Sequence, residues 1–152
     1  MPISSVEVQV EGHASAGLTQ TFETIVPIDL TRIFKGFGPL PAVRGNRAQT
    51  GAWDHVGASR VVELSDGSEA PERITAYAAP QYFAYRVGPF TSSLRLAVSH
   101  ADGAWWFSDA GERGTHVRWS YTFQLHGPAT PLARLVIAPL WRAYAKRVLA
   151  LA

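Results

Sequence analysis

The chain contains no cysteine. Without cysteine it can form no disulfide, no thiol nucleophile and no cysteine-containing zinc site. Charged residues are also few, at 17%, and the net charge is only +2. The basic residues are spread along the chain, with one modest cluster of Arg142, Lys146 and Arg147. Because nucleic-acid binders usually carry a basic stripe or patch, we expect no nucleic-acid partner.

Long apolar runs are missing as well. No uninterrupted apolar stretch reaches the ~18 residues that a membrane-spanning helix needs. The segment 132–151 comes nearest, but Arg134, Arg142, Lys146 and Arg147 interrupt it. The first residues lack the basic segment and apolar run of a signal peptide. We therefore expect no stable membrane insertion and a cytoplasmic location.

Metal-binding spacing is absent too. The five histidines, at positions 13, 55, 100, 116 and 126, show neither the i, i+2 nor the i, i+4 spacing of local metal sites. We expect no metal and no cofactor. A chain of 152 residues, 47% of them apolar, is long enough to bury a core without a metal. Residues 1–152 are expected to form a single domain.

The first third of the chain mixes strand and helix signals. Residues 6–10 alternate strictly between apolar and polar, which predicts a half-buried strand. Residues 19–26 are rich in β-branched side chains and predict another. Pro27 suits the first turn of a short helix that ends at Gly36 or Gly38. Residues 36–47 have little periodicity and predict a loop or an irregular lid.

From about residue 58 the pattern is one of consecutive strands and turns. The predicted strands cover 59–64, 72–78, 83–87, 94–100, 105–108 and 115–125. The turns that separate three pairs of them lie at 65–67, 102–103 and 111–114. A long helix is predicted over about 130–151, with Thr130 as its N-cap, Pro131 in its first turn and a bend just before Pro139.

This order of elements predicts an α+β fold with an internal pocket. A sheet with one apolar face must be covered, and the terminal helix is the only large element available. A curved sheet cannot contact one helix along its whole length, so space for a ligand remains. The side chains expected to line that space are Trp53, Tyr77, Tyr85, Trp105, Trp119, Tyr121, Phe123, Leu135 and Trp141. For each of them, simple core packing is the alternative.

Several segments together resemble a known superfamily. They are 26–30 leading into Phe34, 50–60, 63–67 with Glu72, 83–87, 105–107, 114–123 and the terminal helix. Over about 20–151 the chain is similar to the START-like or SRPBCC superfamily, in its bacterial polyketide cyclase/dehydrase and lipid-transport-like branch. The resemblance implies the Bet v 1-like helix-grip fold. In that fold a curved antiparallel sheet of six to seven strands wraps around a long C-terminal helix, with one or two short helices after the first strand.

Three residues are candidates for catalysis. A three-residue loop at 65–67 would place Arg60 opposite Glu72 on one face of a hairpin. Such a pair could orient a polar ligand group, or be only a cross-strand ion pair. His100 ends the alternation of Leu94, Leu96 and Val98, so it faces inward or lies at a frayed strand end.

The run Trp53-Asp54-His55 is the remaining local candidate. Trp53 could close the mouth of the cavity. Asp54 and His55 suggest a general-base pair, but neighbours on an extended chain point to opposite sides. We therefore expect surface roles for Asp54 and His55.

Three functions remain open. The first is binding or transport of a hydrophobic small molecule such as a lipid, an isoprenoid or an aromatic polyketide. The second is a polyketide cyclase or dehydratase in which Arg60, Glu72, Tyr85 or His100 transfers protons. The third is an interaction protein with an exposed apolar patch on 132–151, and a homodimer also stays open. We favour the binding protein because the few titratable candidates form no recognisable catalytic constellation.

Overall fold

The chain folds around an antiparallel sheet. The computed structural model describes residues 4–27, 30–36, 41–51, 53–91, 98–126 and 138–151. Within these ranges the sheet has seven strands in the order β1-β7-β6-β5-β4-β3-β2. The strands are Ser4–Ala14 (β1), Val43–Arg47 (β2), Ser59–Leu64 (β3), Glu69–Ala78 (β4), Tyr82–Val87 (β5), Val98–Asp109 (β6) and Thr115–Leu125 (β7). The α-helices are Leu18–Ile25 (α1) and Ala138–Leu151 (α2). The chain also forms single 3-10 turns at Leu30–Arg32 and Gly111–Arg113.

One face of the sheet is apolar and is covered by α1 and α2. The alternation predicted for 115–125 is confirmed, because Val117, Trp119 and Phe123 are almost fully buried. Register irregularities in β2, β4 and β6 interrupt the ladder. Such bulges increase local twist, which suits a curved sheet. The arrangement is the Bet v 1-like helix-grip fold that the resemblance implied.

The C-terminal helix is held at its middle, by Tyr144, and near its C-terminal end, by Leu149. Leu149 packs over Gly12 of β1, where a Cβ atom would lie 3.4 Å from the leucine Cδ2. The Tyr144 hydroxyl donates to the Pro41 carbonyl at 2.9 Å and accepts the Gly36 N–H at 3.0 Å. Helix α2 agrees with the C-terminal part of the predicted helix. The predicted start at 130 and the predicted bend lie outside the described residues.

The strand predicted over 19–26 is wrong, since Leu18–Ile25 is helical. Thr21, Phe22 and Ile25 share its buried face. Phe22 packs edge-on against Phe107, with ring centroids 5.2 Å apart. The threonines favour a strand locally, but an apolar stripe at helical spacing that meets the core outweighs that preference.

The loop predicted over 36–47 is also wrong in part, because Val43–Arg47 forms strand β2. This edge strand is polar and has no alternation of its own. It pairs with β3, and the Arg47 guanidinium binds the carboxylate of Glu69 on β4, the strand beyond β3, at 2.7 Å. The preceding helix is a single 3-10 turn within the described residues, Leu30–Arg32. Pairing with a neighbouring strand, which no local pattern reports, decides the structure here.

The turn predicted at Asp102-Gly103 is a further error. Val98–Asp109 is one continuous strand that pairs with β5 on one side and β7 on the other. Gly103 lies between Tyr85 and Tyr121 in this register. A glycine inside a strand often marks the close approach of another group. Here that group is the Tyr85 ring, which occupies the space a Cβ atom would fill.

Candidate functional site

A cluster of aromatic rings fills the centre of the inner face. Trp105 and Trp119, opposite each other on β6 and β7, stack with ring centroids 4.6 Å apart. The Trp119 Nε1–H donates to the Tyr85 hydroxyl at 3.0 Å. Phe123 lies further along β7, and its ring centroid is 5.1 Å from that of Tyr121. The inward positions predicted for these side chains agree with the structure.

The two tyrosines of this cluster are deeply buried. Burial raises the pKa of the Tyr85 hydroxyl, and the negative charge of Glu72 raises it further. Burial raises the pKa of Tyr121 well above its usual value, with added contributions from Tyr85 and Glu72. Both phenols therefore stay neutral at physiological pH, where each can donate a hydrogen bond.

Trp141 of α2 meets this cluster from the helix side. Its ring centroid lies 4.6 Å from that of Tyr121 and 6.3 Å from the stacked ring of Phe34. Its Nε1–H is buried and has no hydrogen-bond partner among the described residues. Buried donors are normally paired, so this nitrogen is a candidate contact for a ligand.

Arg60 and Glu72 form a buried ion pair further along the sheet. They lie opposite each other on β3 and β4, as the three-residue loop predicted. The guanidinium donates to Glu72 Oε1 at 2.8 Å, and both side chains are less than a tenth exposed. The buried Trp53 ring lies 4.0 Å from the guanidinium carbon, a cation–π contact. Arg60 Nε is buried without a partner in the described part of the chain.

His100 does not join this group. A bulge between Val98 and His100 shifts the alternation of β6, so His100 shares the outer face with Asp102 rather than facing inward. Its Nδ1 is 3.0 Å from the Ser99 hydroxyl, and its Nε2 is 3.8 Å from the Asp102 carboxylate. Of the three candidate catalytic residues, the fold brings together only Arg60 and Glu72.

Asp54 and His55 form a contact that the sequence argument excluded. His55 Nδ1 lies 2.8 Å from Asp54 Oδ1, and both side chains are more than half exposed. The chain bends here rather than running extended, so the neighbours can meet. The expectation of a surface position is correct, and the expectation that the two side chains point apart is wrong.

Tyr77 and Leu135 are the two remaining residues that were predicted to line the pocket. Tyr77 packs edge-on against Phe22 of α1, with ring centroids 5.5 Å apart, and is partly buried. Burial raises its pKa, and the charges of Asp54 and Glu23 add to that effect. It therefore lies between the sheet and α1. Leu135 lies outside the described residues.

A cleft of about 680 Å³ opens between β1 and the C-terminal half of α2. Val10, Ile25 and Val117 line it and belong to the buried core, while Leu149 and Lys146 line it from the helix. None of these residues was singled out as a site residue. Gly12, inside the first strand, was the available signal, since a strand glycine often marks a close approach.

Two further features bear on the function. In the ranges that the structure describes, no group of three or more histidine, aspartate or glutamate side chains is placed to hold a metal ion. Across the same ranges, no helix has both the length and the apolarity to span a membrane.

Comparison with known proteins agrees with this architecture. A model of the family described as polyketide cyclase / dehydrase and lipid transport matches residues 6–151. The chain belongs to this family, whose members share the SRPBCC-type helix-grip fold.

Solved structures show the same fold at low sequence identity. The crystal structure of Ara h 8.0201 is 15% identical, with a TM-score of 0.61 and coverage of 97% of this chain and 99% of that one. A putative uncharacterized protein from Bacillus thuringiensis is 14% identical, with a TM-score of 0.63 and coverage of 95% and 96%. A search of curated proteins finds no match.

Proposed function

We propose that the protein binds a hydrophobic small molecule between the inner face of the sheet and α2. The observation that carries this proposal is the cleft of about 680 Å³ with core residues in its lining. Ligand pockets typically measure roughly 300–1,000 Å³. This cleft has that size and combines core residues with polar side chains, among them Glu11, Arg118 and Lys146. Lipids, isoprenoids and aromatic polyketides are apolar molecules that a cleft of this size can hold. The family is described by polyketide cyclisation and lipid transport, which supports lipids and polyketides among them.

Binding explains the arrangement of candidate residues better than proton-transfer catalysis does. Arg60 and Glu72 are bound to each other, whereas His100 lies on the outer face beside Asp102. A cyclase would need an acid and a base within reach of one point in the pocket. A binding protein needs only an apolar cavity and a few directed polar groups.

The test is titration with a fluorescent anilinonaphthalene dye, together with native mass spectrometry of the protein isolated from its own host. Ala150 lines the cleft, so Ala150→Phe should fill part of it and weaken dye binding by about tenfold, or about 1.4 kcal/mol. Arg142→Phe places the same ring on an exposed position of α2 outside the cleft lining and serves as the control. Thermal unfolding checks that both variants fold. No dye binding by the wild type, or equal affinity in the two variants, contradicts the proposal.

A further inference from the structure

The two edges of the sheet are built differently. At one edge, β2 has only five residues, a register irregularity between Val43 and Gly45, and ion pairs from Arg44 and Arg47 to neighbouring strands. Short length, bulges and charged side chains commonly protect an edge strand from pairing with another chain. At the other edge, β1 has eleven residues, no proline or lysine, and no irregularity in its pairing with β7. β1 therefore presents a long and regular edge.

The hydrogen-bond pattern shows which backbone groups of β1 point away from the sheet. The Ala110 N–H donates to the Gly114 carbonyl at the β6–β7 turn at 2.8 Å. Because bonded pairs alternate along an antiparallel ladder, even-numbered residues of β7 bond β6 and odd-numbered ones bond β1. Trp119, for example, bonds its partner Val10. The odd-numbered residues of β1 therefore direct their N–H and C=O groups to the free edge, and they include Glu7, Gln9, Glu11 and His13. No backbone hydrogen bond within the described ranges reaches these groups.

The cleft beside β1 shows that α2 leaves this edge accessible. Residues 9–14 of β1 all line it, with Lys146 and Ala150 on the helix side. Successive side chains of a strand point to opposite faces, so a cleft that touches six consecutive residues runs along the edge of the strand. An added strand would lie beside the cleft and form an outer wall for it.

The side chains at this edge complement a second copy of β1. In an antiparallel pair of identical strands related by a two-fold axis, each contact occurs twice. An axis at Val10 places Glu7 opposite the partner's His13 and Gln9 opposite the partner's Glu11. Each carboxylate then faces a side chain that can donate a hydrogen bond to it.

Other axes fit less well. An axis at Gln9 places Glu7 opposite the partner's Glu11, and like charges directly opposite each other are destabilising. An axis at Val8 avoids this contact but leaves His13 beyond the end of the paired segment, because β1 begins at Ser4. An axis between two residues would set inner-face side chains opposite outer-face ones.

We propose that two copies of the chain dimerise by antiparallel pairing of their β1 strands about an axis at Val10, which joins the two sheets into one. This inference goes beyond the proposed function and does not depend on it. Analytical ultracentrifugation over the micromolar range should show a dimer that dissociates on dilution.

Charge variants test the side-chain contacts across the axis. His13→Glu sets two carboxylates opposite each other twice in the dimer and should weaken it by about tenfold. Adding Glu7→Lys to that variant restores opposite charges and should bring the affinity back to within about threefold of the wild type. Ser108→Glu is the control, since it makes the same substitution on an exposed position of β6, which β7 separates from β1. It should leave the affinity within about twofold.

A disulfide tests the register. Because the chain has no cysteine, one introduced cysteine reports one contact. The axis makes Val10 its own partner in a non-bonded pair, with Cα atoms about 4.5 Å apart and within reach of a disulfide. Val10→Cys should therefore link two chains on mild oxidation. Val8→Cys is the matched control, since Val8 is a buried valine of the same face and lies opposite the partner's Gly12. It should not form the link.

The outcomes separate this proposal from the proposed function. A wild type that stays monomeric over the micromolar range overturns the dimer, whether or not the protein binds dye. A dimer in which Val10→Cys fails to cross-link, or in which Val8→Cys cross-links as readily, uses another surface or register and also overturns it. Equal affinities of His13→Glu and Ser108→Glu would exclude the contact of Glu7 with the partner's His13. Thermal unfolding checks that each variant is folded.

Discussion

The ring of Tyr85 lies directly over Gly103 of the neighbouring strand. A Cβ atom on Gly103 would overlap the Tyr85 Cζ, far inside van der Waals contact. The missing side chain lets the tyrosine extend across β6, so that its hydroxyl accepts the Trp119 N–H on β7. A glycine in the middle of one strand thus makes room for a hydrogen bond between the two strands beside it.

Gly103→Ala should destabilise the protein, because the added methyl group must displace the Tyr85 ring and break its hydrogen bond with Trp119. Overpacking of this kind costs about 1–3 kcal/mol. Urea unfolding measures the change. Gly45→Ala is the control, since the space around Gly45 is open apart from the Glu63 carboxylate at 3.8 Å. Equal stability of the two variants would show that Tyr85 moves aside without cost.

Removing one partner of the Arg60–Glu72 pair should destabilise the fold strongly. Arg60→Met leaves a buried carboxylate without its cation, which costs about 3–5 kcal/mol in comparable buried pairs. The double variant Arg60→Met/Glu72→Leu should recover much of the loss, because no charge then remains buried. Denaturant unfolding of Arg60→Met, Glu72→Leu and the double variant, each compared with the wild type, forms a double-mutant cycle.

The exposed pair of Arg86 and Asp102 provides the comparison. Arg86→Gln should change the free energy of unfolding by less than about 1 kcal/mol. If Arg60→Met lowers the free energy of unfolding as little as Arg86→Gln does, water reaches the Glu72 carboxylate and the pair is not buried in solution.

Alkaline pH should destabilise the protein through its buried tyrosines. The pKa values of Tyr85 and Tyr121 are raised in the folded state. Their contribution to stability is therefore complete below the unfolded pKa of about 10 and is lost as pH rises above it. Above about pH 10, each tyrosine that stays neutral in the folded state should lower the free energy of unfolding by about 1.4 kcal/mol per pH unit.

Urea unfolding at pH 9 and pH 11 measures this slope. The double variant Tyr85→Phe/Tyr121→Phe cannot ionise at either position and should lose less stability than the wild type over the same interval. An equally steep loss in the variant would mean that other groups cause the alkaline destabilisation.

Tyr144→Phe should loosen the attachment of α2. The variant loses the hydrogen bonds to Pro41 and Gly36 and leaves the Gly36 N–H without that acceptor. The cost should be about 1–3 kcal/mol. Hydrogen exchange of residues 30–36 and of α2 should rise together. Faster exchange in only one of these segments would contradict a direct link between them.

Much of the sheet was predictable because its signals are local. Alternation along 115–125 placed Trp119 and Tyr121 inward, and the 65–67 turn placed Arg60 opposite Glu72. In both cases neighbouring residues within one strand or one hairpin determine which face a side chain occupies. The family resemblance then supplied the overall fold.

Contacts between distant segments were not predictable in the same way. Leu18–Ile25 became helical because its apolar stripe meets Phe107, and Gly103 remained in a strand because Tyr85 packs over it. His100 faced outward because a bulge shifted the register of β6. The amino-acid sequence by itself determined which stretches alternate and where the β3–β4 turn lies. Only the tertiary structure decided which faces meet, because packing energy depends on neighbours that lie tens of residues away along the chain.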